Sequence, residues 1–143
     1  MVVVELEHVR EGAEKIRAIT WANEPVATWG AAVVHRAQTR AMVEAAECEA
    51  LAAYEASKEW KVSGAGSAAM RIAHVTGGRK ETIGRRCHAG TVLRGMPHVE
   101  AAFAAGEITL DHVETLSKAR VPTLAVRFAL DEERMVGWAR DLT

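Results

Sequence analysis

SAAMRIAHVTGGRKETIGRRCHAGTVLRGMPHVEAAFAAGEITLDHVETL, residues 67–116, is the stretch whose reading decides the fold. Ser67 suits an N-cap, and Met70, Ile72 and Ala73 follow as the apolar positions of a short helix over residues 67–75. Gly77-Gly78, the only double glycine in the chain, ends that segment. A second helix is expected over residues 79–94, closed by Gly95-Met96-Pro97. Two short apolar-periodic segments joined by a glycine turn are the outline of a helix-turn-helix. Pro97 then opens a helix over residues 98–105, and Thr109 caps another over residues 110–119, with Leu110, Val113 and Leu116 inward. The expected class is therefore all-α.

Working outward, residues 5–19 place Leu6, Val9, Ala13, Ile16 and Ile19 at spacings of three and four, an amphipathic helix interrupted by Gly12. Asn23-Glu24-Pro25 is a helix start signal. From residue 26 to about residue 61 no proline and only Gly30 intervene, which predicts a long helix with a kink or break near residues 36–40. Ser63-Gly64-Ala65-Gly66 is the clearest internal boundary, dividing one all-α domain, residues 1–143, into a long-helix lobe at 1–62 and a short-helix lobe at 63–143. Residues 123–130, TLAVRFAL, fit a strand or a short helix equally. Asp131 reads as the cap of a terminal helix over residues 132–142.

Charge narrows the function. The chain of 143 residues has a formal charge of -1, so it is not a polyanion binder as a whole. Residues 61–95, however, carry seven basic residues (Lys61, Arg71, Arg79, Lys80, Arg85, Arg86, Arg94) against Glu81 alone, net +6. Residues 1–60 are net -4 and residues 96–143 net -3. The basic band coincides with the helix-turn-helix outline. Projection at 100° per residue places Ile83, Cys87 and Gly90 on one face of the second helix and Glu81, Arg85, His88 and Val92 opposite. Arg79, Lys80, Arg85 and His88 are thus the candidate contacts to duplex DNA. Arg71, Arg86 and Arg94 are read as flanking or structural residues, available to the acidic surface of the long helix.

Catalytic chemistry does not assemble from these residues. The histidines at 8, 35, 74, 88, 98 and 112 lack metalloprotease spacing, and Cys48 and Cys87 belong to no ligand cluster, so neither a metal nor another cofactor is expected. The glycine segments lack the signature of a phosphate loop. The beginning, MVVVELEHVREGAEK, meets charge too early for a signal-peptide core, and no apolar run approaches membrane-spanning length. A cytoplasmic location without membrane contact is the expectation. Catalysis by these residues alone is not expected.

Residues 64–116 resemble the actinobacterial 13E12 repeat proteins, also known as the DUF222 domain family. The likeness is carried by the small-residue-rich helix with Arg85-Arg86, the closure at Leu93 and Met96-Pro97, and the segment AAGEITLDHV at residues 104–113. The earlier segment HRAQTRAMVEAAECEALAAYEASKEW, with its Arg36/Arg40 spacing and closing Trp60, is also similar, so the resemblance spans most of residues 29–120. It implies a helical module that in many members stands in front of a separate HNH nuclease domain, with no activity of its own established. No His-Asn-His segment stands in the 143 residues, so no nuclease residue is carried over. The function expected is a noncatalytic DNA-binding or DNA-positioning module. A protein-interaction or self-association scaffold built on the long helix is the alternative.

Overall fold

The structure, a computed structural model, describes residues 2–141. They are helical, without strands among the described residues. Seven α-helices follow in order: α1 Val2–Arg17, α2 Val26–Ser57, α3 Ala68–Thr76, α4 Lys80–Leu93, α5 Pro97–Ala104, α6 Leu110–Ala119 and α7 Ala125–Asp141. Tight 3-10 turns occupy Trp21–Asn23, Glu59–Ser63 and Pro122–Leu124.

The chain divides into two compact units, Met1–His35 and Arg36–Thr143. In the first, α1 is followed by the Trp21–Asn23 turn and the opening turns of α2. Trp21 and Trp29 meet edge to face, with ring centroids 6.4 Å apart, and the Trp29 Nε1–H donates to the Glu24 carbonyl at 3.2 Å. None of the described side chains of residues 3–35 is buried.

The second unit holds the core. Met96, Val99, Phe103, Ile108 and Val113 are almost wholly removed from solvent, with Phe128 and Val136 of α7 closing over them. These residues come from α5, α6, α7 and the connections before α5 and α6, with Cys48 of α2 and Leu93 of α4 in the same cluster, so no one helix supplies the core. Small residues set the spacing. A Cβ at Gly90 of α4 would stand 2.0 Å from the Cys48 carbonyl oxygen, so only glycine lets α4 come this close to α2. Gly106 has φ +73°, and a Cβ there would stand 2.6 Å from the Gln38 carbonyl oxygen. Two constraints at once explain that glycine.

Several helix ends follow the sequence reading. Ser67 accepts from the Met70 N–H at 3.1 Å, Pro97 is the first residue of α5, and His112 Nδ1 accepts from the Thr109 N–H at 3.1 Å. Other expectations are corrected. α2 runs from Val26 to Ser57 without a break at residues 36–40. Of the two conformations left open for residues 123–130 the helical one holds: Pro122–Leu124 turns, and residues 125–130 are the first turns of α7. Asp131 is not a cap but lies inside α7, where it accepts from Arg127 at 2.6 Å and Arg134 at 2.9 Å. These i,i+3 and i,i+4 pairs support the helix through a carboxylate that resembles a cap in sequence. Leu142 lies outside the described residues.

Candidate nucleic-acid interface

Apart from Lys61 in the Glu59–Ser63 turn and Arg94 just past α4, the basic band falls on α3, α4 and the turn between them, all in the second unit. α3 is anchored at both ends. At its start, Glu55 Oε2 of α2 accepts from the Ala68 N–H at 2.9 Å, satisfying one of the amides that a helix leaves without an internal partner. That bond, with Lys58 beside it, holds the Glu55 carboxyl below its ordinary value. At its end, Gly77 takes φ +70° and its N–H donates to the Ala73 carbonyl at 2.9 Å, a left-handed closure that favours glycine. The Thr76 hydroxyl donates to the Ile72 carbonyl at 2.8 Å and accepts from the Gly78 N–H at 3.3 Å. The turn is therefore short and internally bonded.

α4 begins at Lys80, with Arg79 at its N-cap and no side-chain cap. Ile83 is buried against Leu51 and Ala69, with Ile72, Ala73 and Cys87 around them. This contact fixes the angle at which α4 leaves the turn. The expected inner face, Ile83–Cys87–Gly90, is the packed one: Ile83 and Gly90 are buried and Cys87 is half-buried.

The seven basic candidates do not form one cluster of free cations. Arg79 and Lys80 are exposed at the start of α4, and neither makes an ion pair with a described residue. Arg85 is exposed on the outer face but is held by α6. Its Nε and Nη2 donate to the two Glu114 carboxylate oxygens at 2.7 Å each, and Nη2 also reaches Asp111 Oδ1 at 3.3 Å. The bidentate grip strengthens both ionised forms, raising the Arg85 pKa and lowering that of Glu114. His88, also exposed, adds a smaller electrostatic influence on Glu114. Arg86 faces α2, with Nε donating to Glu44 at 3.0 Å and Nη1 to Glu47 at 3.5 Å. Arg71 is half-buried without an ion pair to a described residue. Arg94 is exposed and lines a hollow of about 330 Å³ between α2, α4 and α5, floored by Ala45, Ala46 and Phe103.

The pairing of Arg86 with acidic residues of the long helix follows the sequence reading, which missed the residues that capture Arg85. Asp111 and Glu114 stand three apart on α6, an acidic pair on one helix face, and that spacing was the available signal. It also missed Glu132. This carboxylate is 2% exposed, and Oε1 accepts from the His98 N–H at 2.7 Å and the Val99 N–H at 3.0 Å, so α7 caps α5. Nothing local in sequence distinguishes Glu132 from Glu133.

The thiols are shielded. Burial, aided by Glu44 and Glu47, pushes the Cys48 thiol up to about 12, and burial also raises Cys87. No group of three His, Cys, Asp or Glu side chains able to hold a metal occurs among the described residues. No helix among them is long and apolar enough to cross a membrane. What the α3–α4 corner offers chemically is two free cations at an exposed helix start, a setting suited to an anion such as a phosphodiester. No protein-family model, no curated protein and no solved structure matches the chain.

Proposed function

We propose that this chain is a noncatalytic helical module that holds duplex DNA through the α3–α4 corner, with Arg79 and Lys80 as its principal phosphate contacts. In this reading α3 and α4 act as a helix-turn-helix and α4 approaches the groove by its N-terminal end. Arg85 and His88 lie further along the same helix, and Arg85 reaches DNA only by leaving Glu114. The observation that carries the reading is the free state of Arg79 and Lys80 within a net +6 segment whose other arginines include two held by carboxylates. The likeness to DUF222 proteins extends it: the module would position DNA in the cytoplasm for a separate HNH nuclease domain.

Two or three phosphate contacts per protomer give weak binding with a shallow salt slope, about -0.9 in log–log terms for each contact. Fluorescence anisotropy on a labelled duplex at low salt tests this. Binding should appear in the micromolar range or weaker and fall about tenfold or more in Arg79→Ala/Lys80→Ala. No binding at low salt, or binding indifferent to that double substitution, overturns the proposal.

One observation favours a second reading, a protein-interaction scaffold. Arg85 and Arg86 both point their charge at carboxylates of the same chain, as cations with a purely structural role do. Under this reading the DNA titration is flat, and the basic band serves to fasten α4 between α2 and α6.

A further inference from the structure

We infer that the α3–α4 corner takes duplex DNA by its phosphate backbone, without preference for base sequence. The inference rests on the proposed function and names the class of duplex that the corner accepts. Its first observation is the set of side chains on offer. Base edges are read by a small vocabulary: Asn or Gln on adenine, Arg or Lys on guanine, Asp or Glu on cytosine. Asn23 and Gln38 are the only side-chain amides in the 143 residues, and neither stands in α3, α4 or the turn between them. Adenine therefore has no bidentate reader at this corner.

The second observation is that the arginines inside α4 are engaged. Arg85 Nε and Nη2 are the paired donors that would read guanine, and they are the two that Glu114 holds at 2.7 Å each. A guanine edge is a neutral acceptor and competes poorly with an ionised carboxylate for them. Arg86 turns away to α2, where its Nε donates to Glu44 at 3.0 Å. Gly84, one turn past Lys80, brings no side chain at all. His88 is exposed but stands eight residues past Lys80, about 12 Å along the axis. The major groove is only about 8.5 Å deep, so a helix entering by its N-terminal end leaves His88 outside.

The order of charges along α4 supplies a third observation, and it keeps the two free cations at the rim of the groove. Arg79 and Lys80 stand at the helix start, and Glu81 follows as an exposed carboxylate. About 7.5 Å further along the axis from Lys80, Arg85 is outnumbered by Asp111 and Glu114 of α6, and the Asp111 side chain is 87% exposed. Carrying Lys80 down to a base edge would draw Glu81, Asp111 and Glu114 up against the phosphate walls. Like charges oppose that entry. Contact at the phosphates leaves these carboxylates outside, and phosphate contacts carry no sequence information.

The test is to let the full chain bind, at low salt, a pool of duplexes with a randomised central segment, and to sequence the bound and free fractions. Every base at every position should be enriched by less than about threefold, because one bidentate base contact discriminates by roughly fivefold or more. Enrichment of about threefold or more at any position overturns the inference while the proposed function stands. A pool that is not bound at all overturns both. Fluorescence anisotropy on an A·T-rich and a G·C-rich duplex supplies a second readout. Glu81→Ala should shift the affinity for both duplexes by the same factor, to within about twofold, and so should Arg85→Ala. A larger loss on the G·C-rich duplex in Glu81→Ala would assign that carboxylate to cytosine, and in Arg85→Ala would assign the guanidinium to guanine. Either result overturns the inference.

Discussion

The two units of this chain use the same helical vocabulary to opposite ends. In residues 36–141 the apolar positions of α4 to α7 converge, and Met96, Val99, Phe103 and Val113 are sealed from water. In residues 3–35 the stripe of α1 is as regular, yet no described side chain is buried. Periodicity specifies which face of a helix seeks cover, but it does not specify that cover exists within the chain. Folding stability should therefore reside almost entirely in the second unit.

The contrast can be broken most forcefully at Gly90. A valine there places Cβ 2.0 Å from the Cys48 carbonyl oxygen, a backbone atom that cannot yield without moving α2. Gly90→Val should cost about 3 kcal/mol or more in urea unfolding, by overpacking. Glu132→Ala ranks next. It removes the acceptor for the His98 and Val99 N–H groups in a buried setting, so a loss of about 1–3 kcal/mol is expected. Glu55→Ala should cost about 1 kcal/mol as the loss of a helix cap. At the small end, Leu6→Ala in α1 should stay within about 0.5 kcal/mol of wild type, since Leu6 is largely exposed. A Leu6→Ala loss as large as that of Glu132→Ala would erase the distinction between the units.

Acid sharpens the same comparison. Glu55 and Glu114 both have folded-state pKa values below the ordinary glutamate value. A depressed carboxylate contributes stability that is fully present above its unfolded pKa and is lost as pH falls through the folded one. The second unit should therefore hold its stability at neutral pH and lose it progressively below the ordinary glutamate range. Glu55→Gln should flatten part of that loss. The Arg85–Glu114 share should be small, because the pair is largely solvent-accessible and water screens it.

Much of this architecture was legible because helix ends are written locally. Ser67, Gly77, Pro97 and Thr109 each carry a capping or closing signal within a few residues, and each marks an end in the structure. The α6 face of Leu110, Val113 and Leu116 was equally readable from spacing. Where the reading stayed open or went astray, the deciding partner was distant or the local signal had two meanings. TLAVRFAL is too short for its period to choose between strand and helix, and the packing of Phe128 into the core decides it. Asp131 has the chemistry of a cap but serves two arginines inside α7. In the basic band, composition supplied the charge but not its direction. Arg79 and Arg85 look alike in sequence, and only the approach of α6 assigns one to Glu114 and leaves the other to solvent.

That difference gives the most direct test of the central claim, that the corner holds DNA through the cations the fold leaves free. The salt dependence of duplex binding should be measured for wild type, Arg85→Ala and Arg79→Ala/Lys80→Ala. The log–log slope should be about two units shallower in the double variant and close to wild type in Arg85→Ala. A slope reduced as much by Arg85→Ala, or unchanged by the double variant, would contradict it.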